Sequence, residues 1–149
     1  MASEPQEFQL PLELGVLEVH PARSDGPDSG FFGSPAAHCR VSDGRTVVWR
    51  PGPGHGHPHF MDAELVTQDV GGHVAECLEA DEGSAILRWT RLEVAAKASG
   101  IPVLLLLVGS EPAPEIEVQS CIVGDLVVSF AGSVITASEP SREGTNALA

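Results

Sequence analysis

The sequence predicts a mainly β, single-domain protein, a jelly roll or small barrel with one short helix. Three observations predict it. Apolar residues alternate over short runs, and turn dipeptides such as Asp43-Gly44, Gly71-Gly72 and Gly124-Asp125 separate those runs. The third is punctuation: 16 glycines and 12 prolines in 149 residues leave little room for long helices. That length suits one domain with one core. The expected boundaries are a flexible tail over 1–9, a β-rich domain over 10–138 and a second flexible tail over 139–149. An α+β sheet with the helix packed on it is the alternative.

Taken in order, Leu12 to His20 alternates well enough for a first strand, with a bend or bulge at Gly15. Pro21 to Gly33 is rich in Gly, Pro, Ser and Asp and reads as a surface loop, anchored by Phe31 and Phe32. Ala37 to Val41 and Thr46 to Arg50 flank Asp43-Gly44, which favours a tight hairpin turn. Glu64 to Val70 and His73 to Glu79 read as strands around Gly71-Gly72, and Ala85 to Trp89 as a returning strand. The helix is expected over Arg91 to Ser99. Thr90 and Glu93 have capping-box spacing, Trp89 and Val94 stand where a hydrophobic staple would, and Gly100 and Pro102 close the segment.

Val103 to Val108 is apolar at every position and reads as a central strand buried on both faces. Glu115 to Val123, Leu126 to Phe130 and Val134 to Ser138 would complete a meander, turning at Gly124-Asp125 and Ala131-Gly132. The alternating positions Val47, Trp49, Val74, Leu87, Leu105, Val118, Leu126 and Val128 are the expected core.

Charge narrows the partners. The chain carries 21 acids and 8 bases, a formal net charge of -13, and Lys97 is its only lysine. Such a surface repels phosphate backbones and anionic lipids, so neither nucleic acid nor membrane is an expected partner. A cation, a small molecule or a basic protein is. The N-terminus lacks the basic and apolar regions of a secretory signal, and the longest apolar run is too short to cross a bilayer. Cys39, Cys77 and Cys121 each sit in an apolar, strand-like context, which predicts reduced, buried thiols in a cytoplasmic protein. No glycine-rich phosphate loop is present, so no nucleotide is expected.

Chemistry concentrates between Pro51 and Gly72. His55, His57 and His59 alternate there, and residues two apart on a strand share a face. Two imidazoles and one carboxylate on one face are a common way to hold a catalytic transition metal. His57, His59 and Glu64 supply those groups for a divalent Fe, Mn, Ni or Zn. The spacing His57-Pro58-His59, four residues, Glu64, six residues, Gly71 resembles the first motif of the cupin family, with Pro51 where that motif opens on glycine. Gly124 and Gly132 keep the glycine spacing of the second cupin motif. Phe130, Ile135 and Glu139 replace its proline, histidine and asparagine. The resemblance implies a double-stranded β-helix barrel with the site in its mouth.

A second resemblance uses a different pair. His55-Gly56-His57-Pro58 is similar to the His-x-His-Pro core of JAMM-type metallo-isopeptidases, with Asp69 as the third ligand and Glu13 as the upstream glutamate. Asp69 lies one residue too far along, and Val66 replaces the usual serine. Two functions follow as expectations. One is a metal-dependent small-molecule enzyme using His57, His59 and Glu64. The other is a non-catalytic interaction module, an accessory subunit or inhibitor, on an eroded cupin-like scaffold.

Overall fold

The computed structural model describes residues 4–11, 14–22, 37–53, 55–79, 82–112 and 116–134. Two antiparallel sheets dominate them, so the protein is mainly β, and the sheets close no barrel. The first sheet has the order β1-β2-β4-β3, with β1 Gln6–Gln9, β2 Gly15–His20, β3 Ala37–Arg40 and β4 Thr46–Pro51. The second has the order β5-β7-β6, with β5 His55–Leu65, β6 Val118–Val123 and β7 Leu126–Val134. The helices are α1 Gly72–Cys77, α2 Glu82–Ser99 and α3 Val103–Leu107.

Alternation along the strands decides what each face meets. On β2, Leu17 and Val19 point into the core opposite Trp49 and Val47 of β4. On β7, Leu126, Val128 and Phe130 enter the same core, joined by Met61 and Ala63 of β5. This apolar layer, filled by Trp49 and Phe130 with ring centroids 4.9 Å apart, holds the sheets together. The other face of β7 is also buried: Val127, Ser129 and Ala131 lie under α2, which presents Ala85, Ile86, Thr90 and Val94. Small residues at 129 and 131 let the helix come close. Arg45 ties the two sheets at one end, pairing with Asp43 in its own hairpin turn and through two nitrogens with Asp125 in the β6–β7 turn.

The Asp43-Gly44 hairpin forms as the sequence predicts, and Gly44 takes the positive φ that its turn requires. Several other expectations are corrected. Residues 6–9, expected as tail, form β1 by pairing with β2. The strand expected over Glu64 to Val70 ends at Leu65, and the one expected over His73 to Glu79 is instead α1, Gly72–Cys77, followed by a turn. Ala85 to Trp89 belongs to α2, which starts at Glu82 rather than at Arg91. Thr90 is therefore no cap. Its hydroxyl donates back to the Ile86 carbonyl inside the helix, a bond that threonine makes readily in a helix interior.

Val103 to Val108 is not a central strand. Pro102 opens α3 and its carbonyl accepts from Leu105. Four consecutive leucines favour helix over strand because they lack the β-branch that suits a pleated surface. The doubly covered strand is β7, which runs through Ala131-Gly132 without turning. Val47, Trp49, Leu126 and Val128 are buried as expected, Val74 and Val118 partly so, while Leu87 and Leu105 are exposed. The cysteines are free thiols, but Cys77 is exposed on α1 rather than buried in a strand. The loop with Phe31 and Phe32, the strand over 134–138 beyond Val134 and the tail over 139–149 lie outside the described residues.

Candidate functional site

The site begins with β5, the strand that carries the sequence motif. Pro58 has no N–H to give to a ladder, and here the pairing shifts: Gly56 faces Ser133, and the next pair is His59 with Gly132. From His59 to Leu65 the register is unbroken. A strand's two-residue repeat then sends odd positions to one face and even positions to the other. His59 goes to the inter-sheet side, edge-on to Trp49 with ring centroids 5.5 Å apart. Asp62 and Glu64 go to the side covered by α2. The structure thus does not bring His59 and Glu64 to one face. The side chains of His55 and His57 lie outside what is described, as does Glu13. Asp69 accepts a hydrogen bond from the Gly71 N–H in the turn ahead of α1.

Glu64 instead joins a different group. One carboxylate oxygen from each of Asp62, Glu64 and Glu93 lies within 4.8 Å of the others. Glu93 comes from α2, and Lys97 follows it one turn later on the same helical face. The Lys97 ammonium donates to the Met61 carbonyl at 3.1 Å and to Asp62 Oδ1 at 3.3 Å. Asp62 is only 6% exposed, and a buried carboxylate needs such partners. Its second oxygen has no ordinary donor within reach. Its carboxyl neighbour Glu93 can bond to Asp62 when it carries a proton.

Burial first, then the hydrogen bond to Asp62 and its charge, push the Glu93 carboxyl up to about 8. Burial, then Asp62, also raises Glu64 above the usual carboxylate range. The group is thus a proton-sharing carboxyl pair with a third carboxylate beside it and one lysine for compensation. Cys39 of β3 closes the far side of β5, where burial pushes its thiol up to about 12. Beside this group, a hydrogen-bonded network without a carboxylate continues under α2. Arg91 donates to Ser120 Oγ and to the Val118 carbonyl, and Ser120 and Ser129 hydroxyls meet at 2.8 Å.

Asp62, Glu93 and Lys97 are not among the site residues the sequence predicts, and Glu93 enters there only as a helix-capping residue. Their spacing holds the signal: Asp62 and Glu64 are two apart on a strand, and Glu93 and Lys97 four apart on a helix. What the sequence lacks is the pairing of those two faces.

A second feature lies at the C-terminal end of α2. Leu106 anchors α3 on Ala95 and Ala96, with Leu92, Ile101, Val103 and Val118 around them. Leu104, Leu105 and Val108 remain exposed. Among the described residues no helix is long and apolar enough to cross a membrane. Comparison of the chain with protein-family models, with curated proteins and with solved structures returned no match.

Proposed function

We propose that the protein is an acidic interaction module that holds a protein partner, built on an eroded cupin-like scaffold. One observation carries this reading: α3 is fixed to the domain through Leu106 and leaves Leu104, Leu105 and Val108 exposed side by side. Contiguous apolar surface of this kind marks a face that is covered in use. Support for the scaffold is the placement of both motif fragments. His59 and Glu64 stand on β5, and Gly124 and Gly132 on the β6–β7 hairpin that pairs with it. Three free thiols support a reducing, cytoplasmic setting.

A photo-crosslinking amino acid at position 105, compared with one at exposed position 73 on α1, tests the reading in cells that make the protein. Position 105 is expected to give a discrete protein adduct and position 73 none. No adduct above the position 73 control sinks the reading.

The carboxylate group favours a second reading, a metal-dependent small-molecule enzyme whose cation is held by Asp62, Glu64 and Glu93. An all-oxygen donor set suits Mg²⁺, Ca²⁺ or Mn²⁺ better than the Fe, Ni or Zn expected with His57 and His59. The cation would have to displace both the shared proton and the Lys97 ammonium. Binding should therefore release protons and strengthen as pH rises. Calorimetry with Mn²⁺ at pH 8 decides it: stoichiometric binding that Asp62→Asn abolishes supports the reading, and no binding removes it.

A further inference from the structure

We propose that the free edge of β6 adds an extended strand from another protein, one that carries a carboxylate side chain opposite Ser120. The proposal rests on the interaction reading above and gives it a second contact and a partner sequence. Among the described residues β6 pairs on one side only, with β7. The two strands meet in a two-residue turn, which makes Val123 and Leu126 a hydrogen-bonded pair, and bonded pairs alternate from there. Gln119, Cys121 and Val123 therefore bond to β7, whereas Val118, Ser120 and Ile122 turn their N–H and C=O groups to the open edge. Edge strands are commonly guarded by lysine, proline, a bulge or shortness. β6 has six residues, Val-Gln-Ser-Cys-Ile-Val, with no charge and no proline, and its ladder with β7 is unbroken. Ile122 lies on it 67% exposed.

What stands at this edge is Arg91 of α2, and its chemistry selects the occupant. One guanidinium nitrogen donates to Ser120 Oγ and another to the Val118 carbonyl, each at 2.9 Å, so an exposed cation rests on neutral groups alone. Arg45 and Arg50, by contrast, meet carboxylates. A neutral strand laid beside Ser120 would strip water from an uncompensated charge, which offsets the gain from its backbone bonds. A strand with aspartate or glutamate there supplies the counter-charge, and exclusion of water strengthens the pair. Antiparallel addition, the sense of every pairing in both sheets, bonds the new backbone to Ser120 and Ile122. It also sets an apolar side chain against Ile122, two residues before the acid. The net charge of -13 opposes an acidic protein at long range, so the acid is a single one in an otherwise neutral or basic segment. A second copy does not fit. Val118–Val123 holds no carboxylate, so β6 against β6 leaves both Arg91 groups uncompensated and brings -13 against -13.

The test uses the full chain and a labelled peptide of about ten residues, with lysines at its N-terminus and a valine-threonine-glutamate core. Binding is followed by fluorescence anisotropy at near-physiological salt, where attraction between the lysines and the acidic chain is screened. A glutamine peptide removes the charge, and a peptide N-methylated through its core removes the backbone donors. Arg91→Gln removes the cation, and Arg88→Gln makes the same charge change one turn earlier on α2. The glutamate peptide is expected to bind wild type at least roughly tenfold tighter than either control peptide, and to protect the Ser120 and Ile122 amides from hydrogen exchange. Arg91→Gln should lose the preference for glutamate and Arg88→Gln should keep it. Arg91→Glu should instead prefer a peptide with lysine at that place, an outcome that a misfolded variant would not give. No binding, equal binding of the glutamate peptide and either control, or a preference for glutamate kept in Arg91→Gln overturns the proposal. So does dimerisation of wild type through β6, seen as protection of the same amides that grows with protein concentration, which would make a second copy the occupant. After any of these results, an adduct at position 105 leaves the interaction reading standing, and its absence there as well removes both.

Discussion

Replacing Glu93 by glutamine tests the physical account of the carboxylate group. An ordinary glutamate titrates near 4.5, and Glu93 is pushed up to about 8, first by burial and then by its bond and charge contact with Asp62. A raised carboxyl pKa means that the folded state binds a proton which the unfolded state releases. Stability is thus fully present below about pH 4.5 and is lost as pH rises from there through about 8. Each tenfold difference in proton affinity between the two states is worth about 1.4 kcal/mol. Solvent screening reduces that figure because the side chain is only partly buried, so the loss above pH 6 should be about 2 kcal/mol. Glutamine keeps the donor to Asp62 and cannot ionise. Urea unfolding of wild type and Glu93→Gln at intervals from pH 6 to 9 is the assay. Wild type should lose stability across that range while the variant stays nearly flat and is the more stable protein at pH 9. Parallel curves would refute the shared proton.

Three further outcomes follow from the fold. All three cysteines should react as free thiols in the unfolded, unreduced protein, whereas in the native protein a disulfide reagent at pH 8 should modify exposed Cys77 first and Cys39 last. Gly15→Ala should cost at least about 3 kcal/mol in a denaturant titration, since Gly15 has φ +107 and a Cβ there would collide with the Arg50 carbonyl and lie 2.6 Å from the Gly52 nitrogen. Trp49→Phe should lower stability by about 1–3 kcal/mol, because Trp49 Nε1 donates to the Leu14 carbonyl at 2.8 Å inside the core.

Local signals are legible wherever a turn residue or strict alternation specifies the backbone. Asp43-Gly44 and Gly124-Asp125 predict their hairpins because few residues accept the turn geometry they need. The alternation around Leu17, Val47, Trp49 and Val128 predicts the inter-sheet core for the same local reason. Segments whose periodicity is ambiguous mislead. Val103 to Val108 is uniformly apolar, so period cannot separate strand from helix, and its burial depends on a neighbour rather than on itself.

The candidate site divides in the same way. From the sequence alone come the choice of the stretch from Pro51 to Gly72 as the one bearing ionisable groups, the acidic balance of the chain and the inclusion of Glu64. Tertiary structure decides which residues meet Glu64. The unbroken register from His59 to Leu65 turns His59 toward Trp49 and Glu64 toward α2, and the docking of α2 supplies Glu93 and Lys97. The physical reason is range. Strand parity and helix spacing act over a few residues and are written in sequence order, whereas the match between β5 and α2 joins residues some thirty apart, through a packing that only the whole fold defines.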